Sequence, residues 1–389
     1  MAANGTKADY RSGVRPVNPF ATGEGGFFNV QVEQVPEKKG VLFKHVEYEV
    51  IFRGHRVPRR YNDFVALHDA LESRFPTRLY PRLPPKKAVG ADDAFIAKRK
   101  KALTRYVTLL ARNPVLAKTE LLQHFLTHQG SDVQAVIKQK NTAADEFSQT
   151  QPEAYQHIGI TEWTERLAQL KTNMTVLDAA VLKLRDTMEK ICATNKEQVK
   201  NYMALNLDFT NMASPTSSSF QTDSTSVNVF NEHNLRVLGD IASEVASVTK
   251  QWLELSNNEE TEVLEYVYAM KDLLKGWKDL LLRQDKSIAS DQRVVSKAAA
   301  ARPKDQGQIE ERSGNLITAE QRIRFGLYCI QQETEFVQII LPPLMSLYLR
   351  FLGNIESSHF QKLSTIWDDI SMIADCLPAA PSKASAPPL

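Results

Sequence analysis

The sequence predicts a small α+β module, made of a short antiparallel sheet and helices, followed by an all-α region of three long helices. Alternating and β-branched apolar residues between Phe28 and Arg56 indicate the sheet. Apolar residues that recur in alternating steps of four and three after residue 160 indicate the long helices. A chain of 389 residues, 42% apolar and 24% charged, is long enough for two such domains.

The predicted module begins with the sheet and continues with two helices. Polar segments at 36–40 and 53–55 are typical of turns between its strands. Apolar residues at helical spacing predict one helix that ends at Pro76 and a second that ends near Asn113. Residues 129–160 carry only a modest apolar stripe, so we expect them to form a connector.

Three apolar series predict the helical region. The first covers residues 163–209 and is ended by a Ser/Thr-rich loop at 213–229. The second covers residues 238–280, and the third covers residues 316–373. Each is longer than an ordinary globular helix, which favours a helical bundle.

Three features interrupt these series. Glu259 and Glu262 replace apolar residues within the second series, and a turn is predicted at 302–307. Pro342-Pro343 lies within the third series. Since proline removes a backbone donor and clashes with the preceding turn, this pair either bends one helix or separates two.

The ends of the chain differ in composition from its middle. Residues 1–26 are rich in Gly, Ala and Asn without periodicity, and residues 377–389 are rich in Pro, Ala and Ser, so we expect both to be disordered. The N-terminus shows no apolar signal-peptide core. Phe336–Leu349 falls short of the roughly 20 apolar residues that a span needs. We therefore predict a cytoplasmic protein that reaches membranes from outside.

Three basic clusters lie between residues 59 and 101. Residues 59–64 read Arg-Arg-Tyr-Asn-Asp-Phe, residues 83–87 read Leu-Pro-Pro-Lys-Lys, and residues 95–101 read Phe-Ile-Ala-Lys-Arg-Lys-Lys. Arginine offers phosphate a planar fork of donors, and lysine offers a compact charge. Together with an aromatic side chain against which a ring can lie, these three basic clusters predict a pocket for a multiply phosphorylated ring.

This arrangement resembles the PX (phox homology) domain, the phosphoinositide-binding module of sorting nexins. That family carries an Arg-Arg-Tyr element before Ser or Thr, a proline-rich loop that ends in lysine, and an arginine in the following helix; Asn62 stands where Ser is commoner. The resemblance covers residues 28–128 and is greatest to the sorting nexin-8 subgroup. Three long helices after such a module resemble the BAR domain of PX-BAR sorting nexins, which implies a dimerising BAR-type domain at 161–376.

The resemblance implies a role for each pocket residue. Arg60 grips the 3-phosphate, and Tyr61 lies under the inositol ring. Lys86 reaches the 1-phosphate, and Arg99 binds the 4- and 5-hydroxyls, which implies a preference for phosphatidylinositol 3-phosphate. Arg59 is turned aside or supports the fold. Supporting contact with the membrane is assigned to the flanking residues Arg59, Lys87, Val89, Lys98, Lys100 and Lys101.

The resemblance leaves the connector open to two interpretations. In PX-BAR sorting nexins the equivalent segment often holds an amphipathic helix that contacts the membrane. The other interpretation is a helical strut packed against one of the domains.

Charge and composition exclude several other classes. Residues 1–130 carry 22 Lys and Arg against 12 Asp and Glu, whereas residues 131–389 carry 26 against 34. The basic part suits phosphoinositide or nucleic acid, but it contains no nucleic-acid motif and its pocket residues favour the lipid. The three cysteines are far apart, and no catalytic set or Gly-rich phosphate loop is found. We therefore expect no enzyme activity, cofactor, metal or nucleic-acid partner.

The sequence thus predicts a peripheral protein of early endosome membranes that senses or induces curvature in endosomal sorting and retrograde transport. Its predicted partners are membranes containing phosphatidylinositol 3-phosphate, a second copy of the chain or a higher oligomer, and other sorting nexins or cargo. The alternative is a PX-anchored coiled-coil adaptor that recruits protein partners without bending membrane.

Overall fold

The computed structural model describes residues 27–35, 46–86, 92–142, 144–214, 219–222, 225–228, 230–300 and 306–378. The predicted disordered arm, most of the predicted disordered tail and the first predicted turn lie outside these residues. The described chain forms two compact units. Unit 1 comprises Met1–Ala168 and Lys275–Pro343, and unit 2 comprises Gln169–Leu274 and Leu344–Leu389.

The sheet of unit 1 has three antiparallel strands, β1 (Val30–Gln34), β2 (Glu47–Phe52) and β3 (His55–Arg60), in that order. Val32 pairs with Val50, and Val50 pairs with Val57, so their side chains share the buried face. A two-residue turn, in which both Arg53 and Gly54 have positive φ, joins β2 to β3. This backbone twist matches the right-handed twist of the paired strands.

Four helices complete the packing around this sheet: α1 (Tyr61–Arg74), α2 (Asp93–Arg112), α3 (Glu120–Thr127) and α4 (Val133–Lys140). Asp92 caps α2 by accepting a hydrogen bond from the backbone N–H of Phe95 at 2.7 Å. The core joins the inner face of the sheet to apolar residues from all four helices, among them Phe64, Leu67, Leu103, Phe125 and Ile137.

The connector is packed rather than free. Val133 and Ile137 of α4 are buried in the module core. Lys140 at the end of α4 pairs with Glu120 at 2.9 Å. Further along, α5 (Glu146–Gln149) and Tyr155 belong to an aromatic cluster with Phe325 of the third long helix. These contacts agree with the strut interpretation, because the apolar side chains of α4 are already buried in protein.

Three long helices follow, as the apolar series predicted. The first is α6 (Ile160–Met212). The second runs from α7 (Glu232–Asn258) through a π-helical turn (Glu259–Val263) into α8 (Leu264–Ala300). The third is α9 (Gln306–Ala374), which continues through Pro342 and Pro343. The interpretation of that proline pair as a break between two helices is therefore wrong.

Two connections differ from the sequence prediction. The Ser/Thr-rich segment at 213–229 contains an antiparallel pair of strands, β4 (Ser219–Thr222) and β5 (Thr225–Asn228). The sequence predicts a turn at 302–307, but the last two of these residues already belong to α9, which begins at Gln306. Helical backbone accommodates Gly307 at a cost of only about 1 kcal/mol relative to alanine.

The helix α9 is unusually apolar. Within the described residues, one segment, Ser313–Ala374, contains an 18-residue window of mean hydropathy 1.4 that is 28% buried. By length and composition it meets the criterion for a membrane span, a criterion that core helices of soluble proteins also meet. Phe336, Val337 and Ile340 are buried within the protein, as expected for a helix whose apolar stripe packs in a bundle.

Candidate phosphoinositide site

The site begins where β3 runs directly into α1. Arg60 is the last residue of β3 and the N-cap of α1, and its side chain is exposed. Its backbone N–H donates to Asp63 Oδ2 at 2.7 Å. The other carboxylate oxygen of Asp63 accepts from Gln134 Nε2 of α4 at 2.5 Å. Asp63 thereby links the backbone of Arg60 to α4, and these two hydrogen bonds hold the β3–α1 junction from which the exposed Arg60 side chain extends.

Arg59 has the opposite environment, because successive strand residues face opposite sides of a sheet. Its side chain is fully buried and donates to Phe125 O at 2.7 and 2.9 Å, to His128 O at 2.6 Å and to Pro58 O at 2.7 Å. Burial lowers the pKa of Arg59 to about 10. The assignment of Arg59 as a membrane contact is therefore wrong, and the residue supports the fold instead.

Arg99 is held between two aromatic rings. Its guanidinium carbon lies 4.6 Å from the ring centre of Tyr61 and 4.4 Å from that of Phe95. One terminal nitrogen donates to Pro85 O at 3.2 Å, while the Nε atom is buried without a hydrogen-bond partner. These ring contacts hold the guanidinium beside Tyr61, the aromatic residue of the predicted pocket.

The proline loop is attached to the same two residues. The hydroxyl of Tyr61 donates to Pro84 O, and Arg99 donates to Pro85 O, so the exposed Lys86 follows an anchored segment. Tyr61 and Arg99 thus contact each other and the loop that precedes Lys86, and Arg60 directly precedes Tyr61 at the junction.

The flanking residues are less tightly defined. Lys98 is exposed on α2, whereas Lys100 and Lys101 are half-buried there. Their role at a membrane stays a prediction. Lys87 and Val89 lie outside the described residues.

Three functional contributions were not predicted from sequence. Phe95 supplies a second aromatic face for Arg99, while Asp63 and Gln134 fix the strand–helix junction. A signal existed for Phe95, since residues four apart share one face of a helix. The roles of Asp63 and Gln134 depend on α4 packing beside α1, which spacing does not show.

Comparison with known proteins agrees with this geometry. The PX domain family model matches residues 50–129. Sorting nexin-8 of mouse (Mus musculus) is 31% identical and that of cattle (Bos taurus) 32% identical, each over 92% of this chain and 82% of the relative. The cryo-EM structure of the SNX-BAR Mvp1 tetramer has the same fold, with a TM-score of 0.70 and 19% identity over 88% of this chain and 100% of that one.

The fold and the site together define a protein with a PX module and a BAR-type helical region. The chain belongs to the sorting nexins of the PX-BAR type. These are non-enzymatic peripheral membrane proteins that bind phosphoinositides and act in endosomal trafficking.

Proposed function

We propose that this chain recognises phosphatidylinositol 3-phosphate on early endosomes through Arg60, Tyr61, Lys86 and Arg99. The observation that carries the proposal is the guanidinium of Arg99, which lies 4.6 Å from the ring centre of Tyr61 and 4.4 Å from that of Phe95. A planar pair of donors in a fixed orientation matches two adjacent hydroxyls of an inositol ring. A phosphate at position 4 or 5 would crowd this enclosed guanidinium.

The other residues complete the recognition of the headgroup. The exposed Arg60 lies at a fixed junction and binds the 3-phosphate by charge-assisted hydrogen bonds. Lys86 binds the 1-phosphate, and the anchored prolines before it lower the entropy lost on binding. Tyr61 provides the ring floor. Lys98, Lys100 and Lys101 add attraction to anionic lipid of about 1 kcal/mol each at most.

The helical region forms the homodimer in this proposal, and support comes from the burial along α6 in unit 2. Of its 4-3 series, Met174, Val181 and Met188 are buried, whereas Leu177 and Leu184 are only half-buried. Other apolar residues of unit 2 are more exposed still: Val176, Met203, Leu207, Leu349, Phe360, Trp367 and Met372. We assign these exposed apolar side chains and the half-buried positions of α6 to the dimer surface.

Paired on such a surface, two copies carry two lipid sites in one dimer and sense or induce curvature. In this role the chain acts in sorting and retrograde transport as a binding protein, not as an enzyme. Its further partners are other sorting nexins or cargo.

Liposome flotation with a panel of phosphoinositides tests the proposal. We expect the full chain to float with liposomes containing phosphatidylinositol 3-phosphate and to prefer them over those containing the 4-, 5- or 3,5-phosphorylated lipids. Equal flotation with all of them would contradict the role of Arg99. Flotation without tubulation of large liposomes would favour the adaptor function.

A further inference from the structure

A segment without helix or strand, Arg78–Lys86, lies between α1 and α2, and we call it the strap. One end of the strap belongs to the candidate site. There Pro84 O and Pro85 O accept hydrogen bonds from Tyr61 and Arg99, and the strap ends at Lys86.

The other end of the strap is bound to the long helices within unit 1. The Arg78 side chain is buried and donates to Glu146 at 2.5 Å and, on α9, to Gln332 at 2.8 Å and Glu333 at 3.3 Å. The carbonyl of Arg78 accepts from Arg283 of α8 at 2.8 Å. A buried guanidinium with this many partners is held in one position, because displacing it would leave buried charges unpaired.

The approach of α8 to the strap is unusually close. A Cβ atom added to Gly276 would lie 2.9 Å from the carbonyl carbon of Tyr80, closer still to its oxygen, and 3.1 Å from a methyl group of Leu79. Only glycine fits without displacing backbone. One helical turn further, Asp279 pairs with Arg82 through two contacts of 2.5 and 2.7 Å.

The strap between these two ends has little freedom. Pro81, Pro84 and Pro85 fix φ at three of its residues. The Tyr80 hydroxyl shares its one proton between Leu71 O at 2.9 Å and Phe75 O at 2.7 Å, and Leu83 packs on the module core. A displacement at one end is therefore passed along the strap rather than absorbed by it.

We propose that α8 and α9 set the geometry of the lipid site through the strap. Gly276 and Asp279 are then positioning residues that never touch the lipid. This inference rests on the proposed function, because it assumes that Lys86, Tyr61 and Arg99 bind the headgroup. If the inference is correct, the helical region raises the headgroup affinity of each single lipid site. This effect is separate from the gain in membrane affinity that dimerisation gives.

A pair of glycine variants tests the inference in the full chain. The probe is soluble dibutanoyl phosphatidylinositol 3-phosphate, measured by calorimetry, because a monovalent ligand gives no avidity. Gly276→Ala should weaken binding about fivefold or more. Gly353→Ala is the matched control, because it lies inside α9 with nothing within 4 Å of an added Cβ. Both substitutions raise helix propensity equally, so only the clash with the strap distinguishes them. The control should therefore bind within about twofold of wild type.

A charge reversal gives a second, independent test. Asp279→Arg and Arg82→Asp should each weaken headgroup binding, and the double variant should restore it, because the pair is re-formed with opposite signs. Lys362→Glu is the control, since it breaks another solvent-exposed ion pair, with Glu254 at 3.0 Å in unit 2. It should leave headgroup binding unchanged.

The possible outcomes separate the two proposals. If wild type binds the soluble headgroup and all variants bind equally well, the strap inference alone is overturned. Losses that track a lowered melting temperature and are not restored in the double variant also overturn it. Wild type that binds none of the headgroup would overturn the proposed function together with the inference.

Discussion

Arg59 and Arg60 are chemically identical neighbours that the fold uses for different purposes. The alternation of a strand sends Arg59 inward, to four hydrogen bonds with backbone carbonyls, and leaves Arg60 exposed at the N-terminus of α1. In our proposal, stability and ligand binding depend on these two adjacent residues, and alanine substitutions test them separately.

Arg60→Ala should abolish flotation with liposomes containing phosphatidylinositol 3-phosphate. Its melting temperature should stay within about 2 °C of wild type, because an exposed side chain contributes little to folding. Calorimetric melting and flotation of the same preparation check both parts. A variant that floats like wild type would contradict the assignment of Arg60 to the 3-phosphate.

Arg59→Ala should lower the free energy of unfolding by about 2–4 kcal/mol, because it leaves the buried carbonyls of Phe125 and His128 without their donors. Urea denaturation measures this change, with Arg60→Ala as the matched control. Unchanged stability would show that the buried guanidinium is dispensable for the fold.

The sequence predicts the four pocket residues from three short elements between residues 59 and 101, and their roles in lipid binding stay predictions. It was not sufficient to assign Arg59 to the core alone, since its acceptors lie in α3 and just beyond, more than 60 residues away. Phe95 was within a recognised cluster, but its contact with Arg99 required knowing which face of α2 meets Tyr61.

At the scale of elements, the interruption of the second apolar series by Glu259 is explained by the π-helical turn. One extra residue in this turn rotates the helix, so that Val263 and Leu264 return to the buried face while Glu259 itself becomes buried. Glu259 Oε2 accepts from Asn195 at 2.7 Å, and its other oxygen has no hydrogen-bond partner. Burial raises the pKa of Glu259 to about 7.

Glu259→Gln should stabilise the protein above neutral pH. The folded pKa is higher than the ordinary value of 4.5, so the charged carboxylate destabilises the fold progressively as pH rises from about 4.5 to about 7, and fully above that. Thermal melts should show the variant level with wild type at pH 4 and more stable by about 1–3 kcal/mol at pH 8. A difference that does not vary with pH would exclude this cause.

The strands β4 and β5 were not predictable for a different reason. A Ser/Thr-rich segment has neither an apolar period of two nor the Gly-containing turn that signals a short hairpin. Their pairing rests on backbone hydrogen bonds, which leave little trace in composition. A long helix such as α6 was predictable because apolar residues recur at the same positions in each of its heptads.

At the scale of the whole molecule, the half-buried positions of α6 predict a dimer. Leu177→Glu combined with Leu184→Glu should yield monomer or loss of helicity, because charges would enter an apolar interface. Sedimentation and circular dichroism measure the outcome. Ala179→Glu with Lys183→Glu is the control at exposed positions of the same helix and should remain dimeric. A dimer of unchanged helicity in the leucine variant would argue against this surface as the interface.

Two connected sites should bind liposomes far more tightly than one. A fragment of residues 1–142, which retains the core helix α4, should bind liposomes containing phosphatidylinositol 3-phosphate about 10²–10⁴-fold more weakly than the full chain. The full chain alone should prefer small or tubular liposomes. Comparison with the soluble headgroup separates the effect of the strap from avidity. Equal liposome affinity and no size preference would favour the adaptor function.

The hydrogen bond between Arg78 and Gln332 joins residues that are 254 positions apart in the chain. A ribosome adds about 5–20 residues per second, so roughly 13–50 s pass between the synthesis of Arg78 and that of its partner on α9. Until then the nascent module is without the contacts of Arg78 to α9, whereas the other end of the strap is held by Tyr61 and Arg99. Under the strap proposal, the lipid site gains its final geometry only after Gln332 has been synthesised, so a shorter nascent chain is expected to bind the headgroup less tightly.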